Sequence, residues 1–138
     1  MRVEDGTPIF SKSDIGATFA DILRDCALRN DCLIPVYCFM PKHLHVLIKG
    51  TKESSDTWRT ITQFKQRTGY WLSKHTGARW QRNFFDRILR RDDVLSRQVW
   101  YIVNNPVRRG MVEKWEDYPY TGSIGFDLKE LLGDLQIS

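Results

Sequence analysis

Residues 37–48 contain two short apolar segments joined by a Pro-containing turn: Tyr37-Cys38-Phe39-Met40-Pro41-Lys42-His43-Leu44-His45-Val46-Leu47-Ile48. The pattern predicts two paired strands, with histidines at alternate positions of the second. Since side chains of a strand alternate between the faces of a sheet, we expect His43 and His45 to project together. Leu44 and Val46 then point into the core. Two imidazoles held side by side on a rigid strand provide half of a divalent metal site.

The size of the chain, 138 residues, suits one domain that buries its own core without disulfides. We expect a single domain over 1–138, with a core at about 9–121 and a C-terminal tail at 122–138. No apolar segment approaches the length that spans a bilayer, and no signal-peptide layout is present. The three cysteines lack CxxC spacing, which argues against a disulfide framework or a zinc knuckle. The expected location is cytoplasmic, with no membrane contact.

Positive charge is concentrated in the middle of the chain. Residues 58–110 hold twelve Lys or Arg against three acidic residues, whereas the segments before and after carry a net negative charge. This asymmetry predicts a surface that binds a polyanion, although a merely solvated basic surface would have the same composition. Aromatic side chains interleave with the basic ones, which suits unpaired nucleic-acid bases stacking beside phosphates.

Helical and strand patterns alternate along the chain. Apolar spacing predicts a first helix that begins at Ser11 or Ser13 and ends at Asn30-Asp31. The elements predicted after it are strands at 33–40 and 43–49, a helix at 58–74 capped by Ser55 or Asp56, an extended segment at 80–89 with a strand from Phe84, a helix from Asp92 or Asp93 to Asn105, turns at Tyr118-Pro119-Tyr120 and Thr121-Gly122, and a short helix at 128–135.

This order predicts a mixed α/β (α+β) fold, a ferredoxin-like or RRM-like antiparallel sheet with helices on one face. Such a sheet needs one more strand before the first helix, and only Met1–Val3 and Ile9-Phe10 are present to form it. Either the first edge strand is very short, or the coding start has been placed too far downstream. We favour the second explanation.

The last long helix provides candidates for the second half of the site. Its apolar stripe is formed by Leu95, Val99 and Ile102. Tyr101 and Asn105 are four residues apart and therefore lie one above the other on the flank of that stripe. If the helix docks on the sheet face that bears the histidines, Tyr101 faces the metal and Asn105 can add an amide oxygen. These ligands suit Mg²⁺ or Mn²⁺.

The tyrosine, the predicted metal site and the basic segment together predict chemistry on a phosphodiester. A tyrosine hydroxyl is a weak nucleophile, so its attack on a phosphodiester needs a Lewis acid. Tyr101 would become joined to the 5′ phosphate and release a 3′-OH, and a 3′-OH can later attack the phosphotyrosine and reseal the strand. The bond energy is conserved, and no nucleotide cofactor is required.

Three segments, in order, resemble motifs of the single-tyrosine HUH transposases (U is a bulky apolar residue), and most closely those of the REP-associated tyrosine transposases. The segment Phe39–Ile48 resembles the HUH motif. Trp80-Gln81-Arg82-Asn83-Phe84-Phe85-Asp86-Arg87-Ile88-Leu89-Arg90 is similar to the family's "WQRxFYDxxIR". Tyr101-Ile102-Val103-Asn104-Asn105-Pro106-Val107-Arg108-Arg109-Gly110 is similar to "YIxxNPVxxG", which bears the nucleophile. The resemblance covers residues 33–121.

The resemblance implies metal-dependent cleavage and rejoining of single-stranded DNA and recognition of hairpins beside the cut. His43 and His45 would be metal ligands, Tyr101 the nucleophile and Asn105 a possible third ligand, with Asp86 near the DNA path. The candidate DNA-contacting residues are Lys42, Lys65, Arg67, Gln81, Arg82, Arg87, Arg90 and Arg108.

Two positions depart from the family pattern: Lys42 stands where Asn, Asp or Glu is usual, and Arg87 where His is common. A cation at Lys42 could weaken metal binding or hold phosphate. Some relatives exchange the tyrosine helix between two chains, so both a monomer and a homodimer remain open.

Three alternatives remain. The chain could be a domesticated protein that binds DNA or RNA hairpins without cutting them. It could be a metal-dependent phosphodiesterase in which water attacks and Tyr101 is structural. It could also be a small α/β protein whose paired histidines are ordinary strand packing without metal affinity.

Overall fold

The computed structural model describes residues 1–11, 13–81 and 94–133. Besides short 3₁₀ turns, the helices in these ranges are α1 (Ser13–Arg29), α2 (Thr57–His75), α3 (Leu95–Val103), α4 (Asn105–Arg108) and α5 (Leu128–Leu132), and the strands are β1 (Cys32–Met40), β2 (His43–Gly50) and β3 (Thr121–Ile124). Asp56 caps α2 as predicted, since its carboxylate accepts a hydrogen bond from the Arg59 backbone N–H at 2.8 Å. No helix in the described ranges is long and apolar enough to cross a bilayer.

Strand β1 is the centre of an antiparallel sheet with the order β2–β1–β3. The β1–β2 register places Cys38 opposite His45, and on the other edge Gly122 lies opposite Tyr37. The predicted turn at Thr121-Gly122 is therefore wrong, and these residues belong to β3. The strand is only four residues long and pairs with a segment more than eighty residues earlier, so its local sequence carries little strand signal.

The N-terminal residues form a short extra edge beside β2. Arg2 bridges His43, and Val3 bridges Trp80, both in antiparallel fashion. Residues 2 and 3 therefore lie where a very short first edge strand would lie. The predicted strand from Phe84 lies outside the described residues.

Both faces of the sheet carry helices. Phe19 of α1 and Phe64 of α2 pack on the face that includes Phe39, whereas Val99 of α3 packs on the face that includes Leu47. The mixed α/β class and the antiparallel sheet are confirmed, but the placement of helices on one face needs correction. The reason is the central strand β1, which is buried along nearly its whole length and requires cover on both sides.

Helix α3 begins later and ends earlier than the sequence predicts. It follows Val94, which makes no side-chain cap, and the predicted caps Asp92 and Asp93 lie outside the described residues. The helix stops at Val103, and α4 then starts as a separate turn with Pro106 near its N-terminus, where proline is tolerated.

The described part of the C-terminal segment, residues 122–133, contributes to the core. Sequence assigns residues 122–138 to a tail, but Ile124 of β3 and Leu132 of α5 are buried. Leu132 packs in the same layer as α3 and thereby helps to fix that helix on the sheet.

Candidate active site

Strand β2 presents two imidazoles on the sheet face that α3 covers. His43 and His45 are half-buried, their ring centroids are 4.7 Å apart, and their planes are perpendicular. Leu44, between them, is fully buried in the opposite layer. The predicted alternation of side chains along this strand is therefore confirmed.

Burial lowers the pKa of both imidazoles. The pKa of His43 falls to about 4, first because of desolvation and then because of the positive charges of Arg2, the N-terminus and Arg109. The pKa of His45 also falls to about 4, again mainly through burial, with smaller effects from His43, the N-terminus and Arg108. Both rings are therefore neutral at pH 7, the state in which an imidazole nitrogen can bind a metal ion.

The donor groups fit a cation whose ligand shell is completed from outside the chain. Within the described ranges, no three His, Cys, Asp or Glu side chains come together as a metal site. The imidazoles of His43 and His45 thus offer two ligands. Asn105, at the start of α4, is buried and carries an amide oxygen that is a candidate third ligand. Water and phosphate oxygens can supply the remainder for Mg²⁺ or Mn²⁺.

The structure places Tyr101 on α3, on the same side of the sheet as the histidines. Val99 and Ile102 anchor the helix against that face, while the Tyr101 side chain is 63% exposed. The guanidinium carbon of Arg108 lies 3.9 Å from the centroid of the Tyr101 ring. The positive charge of Arg108 also makes a small contribution to the lowered pKa of His45.

A cavity of about 600 Å³ opens beside His43. Its other lining residues include Lys42 and Gln81, both predicted as DNA contacts, and Arg2 and Arg109, which the prediction missed. Arg109 follows Arg108 in the segment Tyr101–Gly110, so the same motif could have identified it as a candidate DNA contact. Arg2 could be found only by knowing that the N-terminal residues pair with β2. Two acidic residues, Glu4 and Asp5, line the cavity as well, so its three cations leave a small net positive charge. The arginine and lysine side chains are the groups there that could bind a phosphate.

Several predicted contacts lie elsewhere or outside the described residues. Lys65 and Arg67 are on α2, which covers the sheet face opposite the histidines. Arg67 forms a 2.6 Å ion pair with Asp25 of α1. Four further residues that the sequence assigns to the DNA path are not described: Arg82, Asp86, Arg87 and Arg90.

A family model and two curated relatives indicate the same family for this chain. The family model described as IS200-like transposase matches residues 2–103. A REP-associated tyrosine transposase of Escherichia coli K12 is 30% identical over 92 residues, which are 64% of this chain and 52% of that protein. A Haemophilus influenzae protein, provisionally given the same name, is 28% identical over 96 residues, 61% of this chain and 54% of that protein.

The chain thus spans about half the length of the curated relatives it matches. Its fold is similar to a solved structure of a REP-associated tyrosine transposase bound to a REP hairpin. The TM-score is 0.66 at 18% identity, and the match covers 86% of this chain and 68% of the other.

Proposed function

This chain belongs to the IS200-like transposase family, and from that membership we propose that it cleaves and rejoins single-stranded DNA through a covalent bond to Tyr101. The observation that supports this most is the shared sheet face: α3 carries Tyr101 on the side from which His43 and His45 project. A phenol, two neutral imidazoles and the arginine and lysine side chains of the adjoining cavity are groups that a phosphodiester exchange can use.

In the proposed reaction the Tyr101 hydroxyl oxygen attacks phosphorus and loses its proton to solvent. The bond between phosphorus and the 3′ oxygen breaks, and that oxygen leaves as a 3′-OH after taking up a proton. The product is a 5′-phosphotyrosine, which a 3′-OH can attack in reverse to restore a phosphodiester and the free phenol. A divalent ion at His43 and His45 would polarise the phosphate and stabilise its developing charge.

The proposed substrate is single-stranded DNA that contains a hairpin. The solved structure with a similar fold has a REP hairpin bound, and the cavity beside His43 is lined by the cations Arg2, Lys42 and Arg109. These cations would hold phosphates next to the imidazole pair. An enzyme with this substrate works in the cytoplasm, on the nucleoid.

The test is covalent capture of DNA. Labelled single-stranded hairpins from the flanks of the gene are incubated with the protein and Mg²⁺ or Mn²⁺, and then run on a denaturing gel. We expect a protein–DNA adduct that is absent with Tyr101→Phe and is prevented by EDTA. Tyr70→Phe is the matched control, because Tyr70 is equally exposed but lies on α2.

Two results would contradict the proposal. Hairpin binding without an adduct, with every flank and both metals, would indicate a binding protein. Strand cleavage that persists in Tyr101→Phe and leaves no adduct would indicate attack by water.

A further inference from the structure

The side chain of Arg108 contacts Tyr101 in two ways. Its guanidinium carbon lies 3.9 Å from the centroid of the phenol ring. Its Nη2 donates a hydrogen bond to the Tyr101 backbone carbonyl at 2.7 Å. The Arg108 side chain thus extends from α4 back across the junction with α3 and covers one face of the Tyr101 ring.

The contacts restrict the motion of an exposed side chain. Tyr101 is 63% exposed, so packing against the core cannot fix its ring. A guanidinium stacked on the ring face limits rotation about χ1, and the hydrogen bond anchors that guanidinium to the same residue. A Tyr101 side chain that is already restricted loses less conformational entropy when its hydroxyl is aligned for attack on phosphorus.

We propose that Arg108 is a positioning residue that holds the Tyr101 phenol in the orientation needed for attack on DNA. The inference rests on the proposed function and extends it. Sequence reasoning placed Arg108 among the DNA contacts. Its neighbour Arg109 instead lines the cavity with His43, so the two consecutive arginines have different tasks: one orients the nucleophile, and the other binds phosphate.

The first experiment measures the rate of adduct formation at saturating hairpin DNA. For Arg108→Ala we expect this rate to fall by about ten- to a hundredfold, with the hairpin Kd and its salt dependence unchanged. Arg108→Lys should also be slow, because an ammonium group does not reproduce the planar stack. Arg97→Ala, which removes an exposed arginine on α3, should keep the wild-type rate.

The outcomes separate the possibilities. If Arg108 contacts DNA phosphate instead, Arg108→Ala will weaken binding and reduce the salt slope by about 1, with an unchanged rate at saturation. If Arg108 is only a cap for the end of α3, Arg108→Ala will lower the thermal midpoint and leave that rate unchanged. Either result overturns the inference. Absence of any adduct with the wild-type protein would instead reject the proposed function, and the positioning role with it.

A second measurement does not depend on activity. In NMR spectra the side-chain protons of Arg108 should be shifted upfield by the Tyr101 ring, and Tyr101→Leu should remove the shift. Unshifted Arg108 protons in the wild-type protein would show that the stack does not form in solution and would overturn the inference.

Discussion

The imidazole rings of His43 and His45 are held edge to face, with their centroids 4.7 Å apart. They lie two residues apart on the same strand, so the hydrogen bonds of β1 to β2 fix their separation before any ligand arrives. Because both rings are neutral at pH 7, a cation that approaches them displaces no proton. This is the protonation state that the proposed metal site needs.

Mn²⁺ should bind to the protein in the absence of DNA, weakly, because the chain provides only part of the ligand shell. His43→Ala and His45→Ala should each abolish binding measured by calorimetry. His75→Ala is the matched control, since His75 is exposed at the end of α2 and stacks on Trp71, away from the pair. Equal Mn²⁺ binding by the double variant His43→Ala/His45→Ala would contradict a metal site at this position.

The metal-free protein should lose stability on acidification from pH 6.5 to pH 4. The folded-state pKa values of His43 and His45 are near 4, below the ordinary value of 6.5, so the unfolded chain binds more protons in this window. The free energy of unfolding then decreases as the pH falls, whereas above pH 6.5 the pair adds no pH dependence. Urea unfolding in EDTA should give a flatter profile for His43→Gln/His45→Gln, and His75→Gln should follow the wild type. Parallel profiles would argue against burial of the pair.

The site should be complete within one chain. Helix α3 packs on the sheet of its own chain through Val99 and Val103. A mixture of two inactive proteins, Tyr101→Phe and His43→Ala/His45→Ala, should therefore form no DNA adduct. If adduct appeared on the chain that keeps Tyr101, identified by a size tag, the two proteins would be sharing the tyrosine helix between chains.

Arg109 should contribute to DNA affinity and not to the rate of the chemical step. It lines the cavity beside His43, where a phosphate would lie. Arg109→Ala should weaken hairpin binding and lower the slope of log K against log salt by about 1. Fluorescence titrations at several salt concentrations give both values, with Arg97→Ala as the control. An unchanged slope would place the phosphate elsewhere.

Sequence predicted the parts of the fold that depend on local pattern. The hairpin β1–β2 and the helices α1 and α2 each have strong periodicity, and α2 has a cap at Asp56. The positions of His43 and His45 followed directly, because a strand's two-residue period assigns every side chain to a face.

The missed parts depend on contacts between distant segments. Strand β3 pairs with the edge of β1 that β2 leaves open. Helix α3 covers the second face of the sheet because β1 is buried on both faces. The register of β1 also shifts between Leu33 and Val36, so Ile34 and Val36 enter opposite layers although they are two residues apart. A strict alternation from sequence would have put both on one face.

Gly122 shows what the non-local pairing demands of a residue. It lies opposite Tyr37, and a Cβ at this position would overlap the phenol, meeting its Cε2 at 2.8 Å. Tyr37 is half-buried and packs against Phe39 with ring centroids 5.5 Å apart, so the phenol would have to leave this contact to make room for a Cβ. Glycine is therefore favoured here by the close approach of Tyr37 and not by a turn.

Gly122→Ala should lower the free energy of unfolding by about 1–3 kcal/mol, the usual cost of forcing extra atoms into a packed site. Gly16→Ala is the contrasting control: a Cβ there meets Phe39 at 3.8 Å, an ordinary contact, inside α1. Alanine should stabilise that helix by about 0.5–1 kcal/mol. Urea unfolding of both variants measures the difference. If Gly122→Ala were as stable as the wild type, residue 122 would not lie against Tyr37, and the pairing of β3 with β1 would be wrong.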